Sequence, residues 1–349
     1  GAALTGYTLY ERVTYEMADV GSSGGVPDDV LQTMLSEDTD TVVVDTVAYD
    51  GSSSTAVSTR LSGLIGGVSY DYVVAARSDA GEGERSAVLS VSTSPPAPGS
   101  LDSVSQTTSS ITLSWSAPVV TTGSAVTGYN VYMDDGSSGT PGDVPVSCGG
   151  GDALSTTCTA SGLTGGVSYS FEVSALSTTG ESDRSSVSAM STAPAAVAGS
   201  MAFSSVTTTS MDLAWTAPSG ATPTGYIVYR DDGDSATPSI VVFEGDALTA
   251  TASGLTGGTS YSYMVAALSA AGVGDVSGVS AQSTSPAAPL GLSSVTQTST
   301  SITLSWSASV VGSGGSAVTS YKVYRNDGSS ASAALSSTAA HTTADGSTT

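Results

Sequence analysis

Apolar and polar residues alternate along most of the chain. Thr112 and Ser114 separate Ile111, Leu113 and Trp115, and Ser170, Glu172 and Ser174 separate Tyr169, Phe171, Val173 and Ala175. A period of two puts every second side chain on one face of an extended backbone, so these stretches predict half-buried strands. The pairs Asp135-Gly136, Asp232-Gly233 and Asp327-Gly328 follow Tyr-rich strands and read as hairpin turns. One stretch departs from the period. Pro27 to Leu35 reads as a short helix, with proline in its first turn, Asp28 and Asp29 favouring the N-terminal dipole, and Val30, Leu31, Met34 and Leu35 on one side.

The alternating blocks repeat. Ile111 to Trp115 recurs as Met211 to Trp215 and Ile302 to Trp306, with the tryptophans 100 and 91 residues apart. Gly128 to Tyr132 recurs at Gly6 to Tyr10, Gly225 to Tyr229 and Ser320 to Tyr324. Ser161-Gly-Leu-Thr-Gly-Gly-Val-Ser-Tyr169 is matched by Ser253 to Tyr261 and by Ser62 to Tyr70. A period near 95 residues is one domain, and proline-rich joints at 95–98, 193–194 and 286–289 separate the copies.

Each copy runs from a proline-rich start to a tryptophan strand, a Tyr-x-Val-Tyr strand, and a Gly-Leu-Thr-Gly-Gly-x-Ser-Tyr turn leading into a Val/Ala-rich strand. It ends in a hairpin such as Ala175 to Ser185. In this order the copies resemble fibronectin type III repeats. The resemblance implies an all-β chain of immunoglobulin-like sandwiches in tandem, beads-on-a-string. It implies core tryptophans at Trp115, Trp215 and Trp306, and tyrosine-corner residues at Tyr70, Tyr169 and Tyr261. Two whole sandwiches are expected at 95–193 and 194–285. The unit at 1–94 lacks its first strands and carries an insertion near 13–40, and 286–349 holds first strands only. Such flanking units fit a window of a longer array. They equally fit strand complementation, with the C-terminal strands of one copy completing the N-terminal unit of the next, head-to-tail. The helix at Val30 to Leu35 is then either a lid on its own sandwich or an interface.

Charge narrows the partners. The net charge of -23, with 31 acids against 8 bases, repels phosphate backbones and anionic lipid, so neither nucleic acid nor a membrane surface is expected as a partner. No apolar run is long enough to span a bilayer, so no membrane insertion is expected. Residues 1–94 carry 14 acids and 4 arginines, whereas 286–349 are neutral, which suits head-to-tail association.

Candidate chemistry is sparse. His341 is the only histidine, and Asp134, Asp135, Asp231, Asp232 and Asp327 fall in turns, where Asp supplies turn geometry or, alternatively, a weak calcium contact. No catalytic set, cofactor or metal site is expected. Cys148 and Cys158, ten residues apart around a Gly-rich turn, suit a hairpin disulfide in an oxidising compartment. Ser and Thr make up 113 of the 349 residues. Neither Asn130 nor Asn326 starts an Asn-x-Ser/Thr acceptor, so any glycan is O-linked. Candidate sites are Thr107, Thr108, Thr207, Thr208, Thr209 and Thr298, before the tryptophan strands, and Thr140, Thr222 and Thr237, before prolines. These threonines are otherwise ordinary β-formers and turn residues. The expected role is a subunit of an extracellular filament, appendage or matrix that binds copies of itself. The alternative is a spacer or binding module of a surface adhesin or a secreted carbohydrate-active protein.

Overall fold

The computed structural model describes residues 2–16, 41–51, 55–147, 152–220, 222–234, 237–326, 339 and 341–343. Every regular element among them is a strand. The helix expected at Val30, Leu31, Met34 and Leu35 lies outside the described residues. The chain divides into two compact units, one of residues 1–104, 112–160 and 169–190, the other of residues 105–111, 161–168 and 191–349.

In the first unit, β1 (Leu4–Glu16), β2 (Thr41–Gly51), β3 (Ser69–Ser78), β4 (Gly81–Arg85) and β5 (Leu89–Ser92) make one antiparallel sheet in the order β2-β1-β3-β4, with β5 also on β3. The next repeat contributes β6 (Gly99–Gln106), β7 (Ser110–Ser116), β8 (Val126–Met133), β9 (Thr157–Ser161), β10 (Ser168–Ser177), β11 (Gly180–Glu181) and β12 (Ser188–Ser191). They form a β6-β7-β9 sheet and a β11-β10-β12 sheet with β8 paired to β10.

The second unit repeats the plan. A β13-β14-β17 sheet is made by β13 (Ala202–Ser204), β14 (Ser210–Ala214) and β17 (Thr249–Ser253). It faces β15 (Gly225–Arg230), β16 (Ile240–Gly245), β18 (Ser260–Ser269), β19 (Gly272–Val273) and β20 (Ser280–Ser283). The inward rows Met211, Leu213, Trp215 and Tyr226, Val228, Tyr261, Tyr263, Val265, Ala267 close one core between these sheets. Trp215 sits edge-on to Tyr226 and Phe243, with centroids 5.7 and 5.6 Å away. Then follow β21 (Leu290–Gln297) paired with β22 (Ile302–Ser307), and β23 (Lys322–Val323) paired with β24 (His341–Thr342).

Equivalent residues have unequal fates. Ile111 and Met211 are wholly buried, whereas Ile302 on the β21–β22 hairpin is 65 % exposed. Trp306, expected in a core, is only half-buried, and Tyr321, next to β23, packs edge-on to it with ring centroids 5.6 Å apart. In the first repeat Tyr7 and Leu9 correspond in sequence to Tyr226 and Val228, and Val74 to Val265. There Val74 is 39 % exposed, while the opposite face, with Thr8, Tyr10, Val73 and Ala75, is the buried one. Residues 58–62, aligned with β17, are irregular.

Asp135-Gly136 and Asp232-Gly233 are not two-residue hairpin turns, and Asp327-Gly328 lies outside the described residues. Residues 231–239 join β15 to β16, and the preceding aspartate, not a tight turn, organises the loop: Asp231 Oδ1 accepts the Gly233 amide at 3.2 Å.

Two outcomes follow for chemical denaturation of the full chain followed by tryptophan fluorescence. Ile111→Ala is expected to cost its repeat about 2–5 kcal/mol, and Ile302→Ala less than about 0.5 kcal/mol. Tyr263 has a buried hydroxyl without a partner, and burial pushes its phenol up to about 12. Tyr263→Phe is therefore expected to leave stability unchanged or to raise it by about 1 kcal/mol, and a loss beyond that would contradict the unpaired hydroxyl.

Candidate functional site

Dense polar constellations recur in the first two repeats, where a short strand opens with Gly-Glu. In the second repeat Glu181 accepts from the hydroxyls of Ser174 and Tyr132, and from Asn130 Nδ2 at 3.2 Å. The Arg184 guanidinium lies 3.6 Å over the Tyr132 ring, donates to Glu172 at 3.2 Å and to the Gly142 carbonyl at 3.1 Å, and pairs with Asp143 at 3.4 Å. The first repeat copies this. Tyr10 donates to both Glu82 oxygens at 2.7–2.8 Å, Arg77 pairs with Glu82 at 3.1 Å, and Arg85 lies 4.2 Å over Tyr10. Arg12 meets Asp45 with two bonds of 2.7 and 2.8 Å, and Arg85 also reaches Asp45. In the third repeat Val273 stands where Glu82 and Glu181 stand, and Arg230 instead lies 5.1 Å over Tyr261.

The electrostatics say what these clusters do. The Ser174 and Tyr132 hydroxyls hold the Glu181 carboxyl below its usual range; Tyr10, then Arg77, do the same for Glu82, and Arg12 does so for Asp45. A general acid needs the opposite shift. These carboxylates are fasteners that tie the last strands to their sheets.

The turn aspartates accept nearby amides. Asp134 Oδ1 accepts the Gly136 and Ser170 amides at 3.1 and 3.0 Å, and Oδ2 accepts the Gly139 amide at 2.8 Å. Asp135 accepts the Ser137 amide and hydroxyl, and Asp232 accepts the Asp234 amide at 3.0 Å. Asp327 lies outside the described residues. Among the described residues no group of three or more His, Cys, Asp or Glu is placed to hold a metal.

The threonine clusters form turns. The Thr107, Thr207 and Thr298 hydroxyls each contact a serine hydroxyl three residues on, at 2.6–2.8 Å, and accept a nearby amide. Thr108 donates to Asp275 at 2.7 Å. Thr140, Thr208, Thr209, Thr222 and Thr237 are exposed. Trp115, Trp215, Tyr169 and Tyr261 are buried. The Tyr261 hydroxyl accepts the Thr256 amide at 3.0 Å. Half-buried Tyr70 accepts that of Ile65 at 2.8 Å, the same corner in the first repeat. Cys158 is buried on β9, and Cys148 lies outside the described residues. The Glu-Tyr-Arg clusters escaped the sequence reading because each tyrosine is 49 or 72 residues from its glutamate; the recurring Gly-Glu after the Val/Ala-rich strand was the available signal.

The fibronectin type III domain profile matches residues 96–191 and 194–283, and the chain belongs to that family. Exoglucanase B of Cellulomonas fimi is 32 % identical over 254 residues, covering 67 % of this chain and 21 % of the enzyme. Chitinase A1 of Niallia circulans is 34 % identical over 190 residues, covering 52 % and 24 %. Endoglucanase B of Cellulomonas fimi is 33 % identical over 258 residues, covering 67 % and 23 %. The chain thus spans about a fifth to a quarter of the length of these relatives.

The fastener role predicts a pH signature. A carboxyl whose folded pKa is lowered contributes stability above its unfolded value, about 4.3 for Glu, and loses that contribution as pH falls through the folded value. Glu181 is exposed, so solvent screens its bonds, and Glu181→Gln is expected to destabilise the second repeat by no more than about 1 kcal/mol at pH 7, with the gap to the parent closing in acid. Parallel denaturation curves at pH 7 and pH 3 check this, and a gap independent of pH would contradict it.

Proposed function

We propose that the chain is a spacer segment of a secreted, carbohydrate-active protein, carrying other domains at a set separation. The observation behind this reading is the alignment with a minor part of each of three proteins named as glucanases and a chitinase. The filament role expected from sequence has no such support. Among the described residues no helix is long and apolar enough to cross a membrane. An extracellular setting is supported by the hydroxyl-rich, acidic surface and by a Cys148–Cys158 disulfide, proposed from their spacing and from the burial of Cys158. The exposed Thr140, Thr208, Thr209, Thr222 and Thr237 are the favoured O-glycan positions, since the other candidate hydroxyls hold their own turns or Asp275.

Self-association is a second reading, favoured by one observation. Tyr7, Leu9, Tyr49, Val57, Val74 and Leu89 line an apolar groove of about 450 Å³ on the first repeat, and Val57 is 89 % exposed. The partner in this reading is the exposed β21–β22 hairpin of a second copy.

Pelleting with insoluble cellulose and chitin separates the readings when run beside sedimentation velocity. A spacer stays in the supernatant at the 34.1 kDa of one chain. Saturable depletion by either polymer would make it a binding module, and a mass that grows with concentration would favour association through the groove.

A further inference from the structure

The repeats are joined by a device that recurs three times among the described residues. Its parts are the double glycine of the turn before the Tyr strand, a threonine in the connection to the next repeat, and that repeat's loop after the tryptophan strand.

The threonine comes first. Thr93 Oγ1 donates to the Ile65 carbonyl at 2.7 Å and accepts the Val68 amide at 3.1 Å. Thr192 does the same with Thr164 and Val167, and Thr284 with Thr256 and Thr259, at the same distances. Thr192 and Thr284 are buried. The residue after each threonine then accepts the amide of the second glycine, as Gly67 to Ser94, Gly166 to Ala193 and Gly258 to Ser285, at 2.8–2.9 Å. The connection is stitched to the turn at every joint, so its proline-rich composition does not make it a loose linker.

The glycines explain themselves by what a Cβ would meet. At the first of each pair, Gly66, Gly165 or Gly257, it would lie within 3.0–3.3 Å of the backbone of Pro96, Ala195 or Ala287. The second of each pair has a φ of 72–73°, a region open to glycine, and that turns its carbonyl toward the next repeat's loop. The Gly67 carbonyl accepts the Thr121 and Gly123 amides at 3.1 and 3.0 Å, and the Gly258 carbonyl accepts the Gly312 amide at 2.9 Å. Ser69 donates to Thr122 Oγ1 at 3.0 Å, and Ser260 to the Ser313 carbonyl at 3.3 Å. A Cβ on Gly220 would lie 2.9 Å from the Gly166 carbonyl oxygen, so this loop too approaches at backbone contact distance.

We propose that this turn is a docking surface whose partner is the next repeat's loop, and that the closed joint restrains pivoting between successive repeats. The surface has the chemistry of a backbone acceptor flanked by an amide donor, and it fits a loop that offers amides and carries glycine where it touches.

The test uses the full chain. Amide hydrogen exchange is expected to show the Thr121, Gly123 and Gly312 amides protected at least tenfold over unstructured exchange. Spin labels replacing Leu89 and Val104 are expected to give one narrow distance distribution. Gly123→Val would place its Cβ 2.6–2.9 Å from the backbone of Gly67 and Val68. It is expected to broaden that distribution at least twofold and to abolish protection at residue 121. Thr122→Val removes only the bond from Ser69 and guards against a folding defect; it is expected to broaden the distribution less. Gly278→Val, with nothing within 4 Å, is the control and is expected to change neither reading. Unprotected amides in the parent chain, or a distribution as broad in the parent as in Gly123→Val, would overturn the proposal.

Discussion

The structure depends on one constraint, that a period-two row of apolar side chains is satisfied only when a second sheet covers it. In the third repeat the cover is complete, and Met211, Leu213, Tyr226, Val228 and Tyr263 all lie in one core around Trp215. Burial of such a row supplies most of the favourable free energy of a small sandwich. In the first and last repeats the same sequence pattern gives a different surface. Ile302 and Val74 are exposed, and residues 58–62 are irregular. Equivalent positions are therefore buried to different extents from one repeat to the next.

The polar features are subordinate to that core. The Glu-Tyr-Arg clusters fasten edge strands whose own pairing is short; β11 has only two residues. Turn aspartates and threonines spend their oxygens on nearby amides, which leaves a hydroxyl-rich surface with few groups poised for chemistry. A protein built this way presents repeated, self-satisfied modules, and the parts that vary from one repeat to the next are loops and outer faces. That organisation agrees with the alignments to a limited portion of larger proteins and with a role set by distance and orientation.

Much of the fold was legible in sequence because the signals were local. Alternation located the strands, Trp115 and Trp215 marked cores, and the Gly-Leu-Thr-Gly-Gly block located the turn before Tyr169 and Tyr261. What was not legible depended on tertiary context. Trp306 carries the same motif as Trp215 yet is only half-buried, and no local feature distinguishes the two. The Asp-Gly pairs looked like hairpin turns because two-residue loops are common, but Asp134 and Asp231 organise longer loops with their carboxylates. Glycine pairs were read simply as turn residues. Their use at the joints is visible only when Ala195, Ala287 and the loop at Gly312 are brought against them.

The central claim is that the repeats at 96–191 and 194–283 each hold a sandwich core of their own, and pulling single full-length chains tests it most directly. The account predicts two separate ruptures from the repeats at 96–191 and 194–283, each releasing roughly 90 residues, or about 300 Å of chain at about 3.4 Å per residue. A single rupture releasing both lengths together, or extension without any force peak, would contradict it.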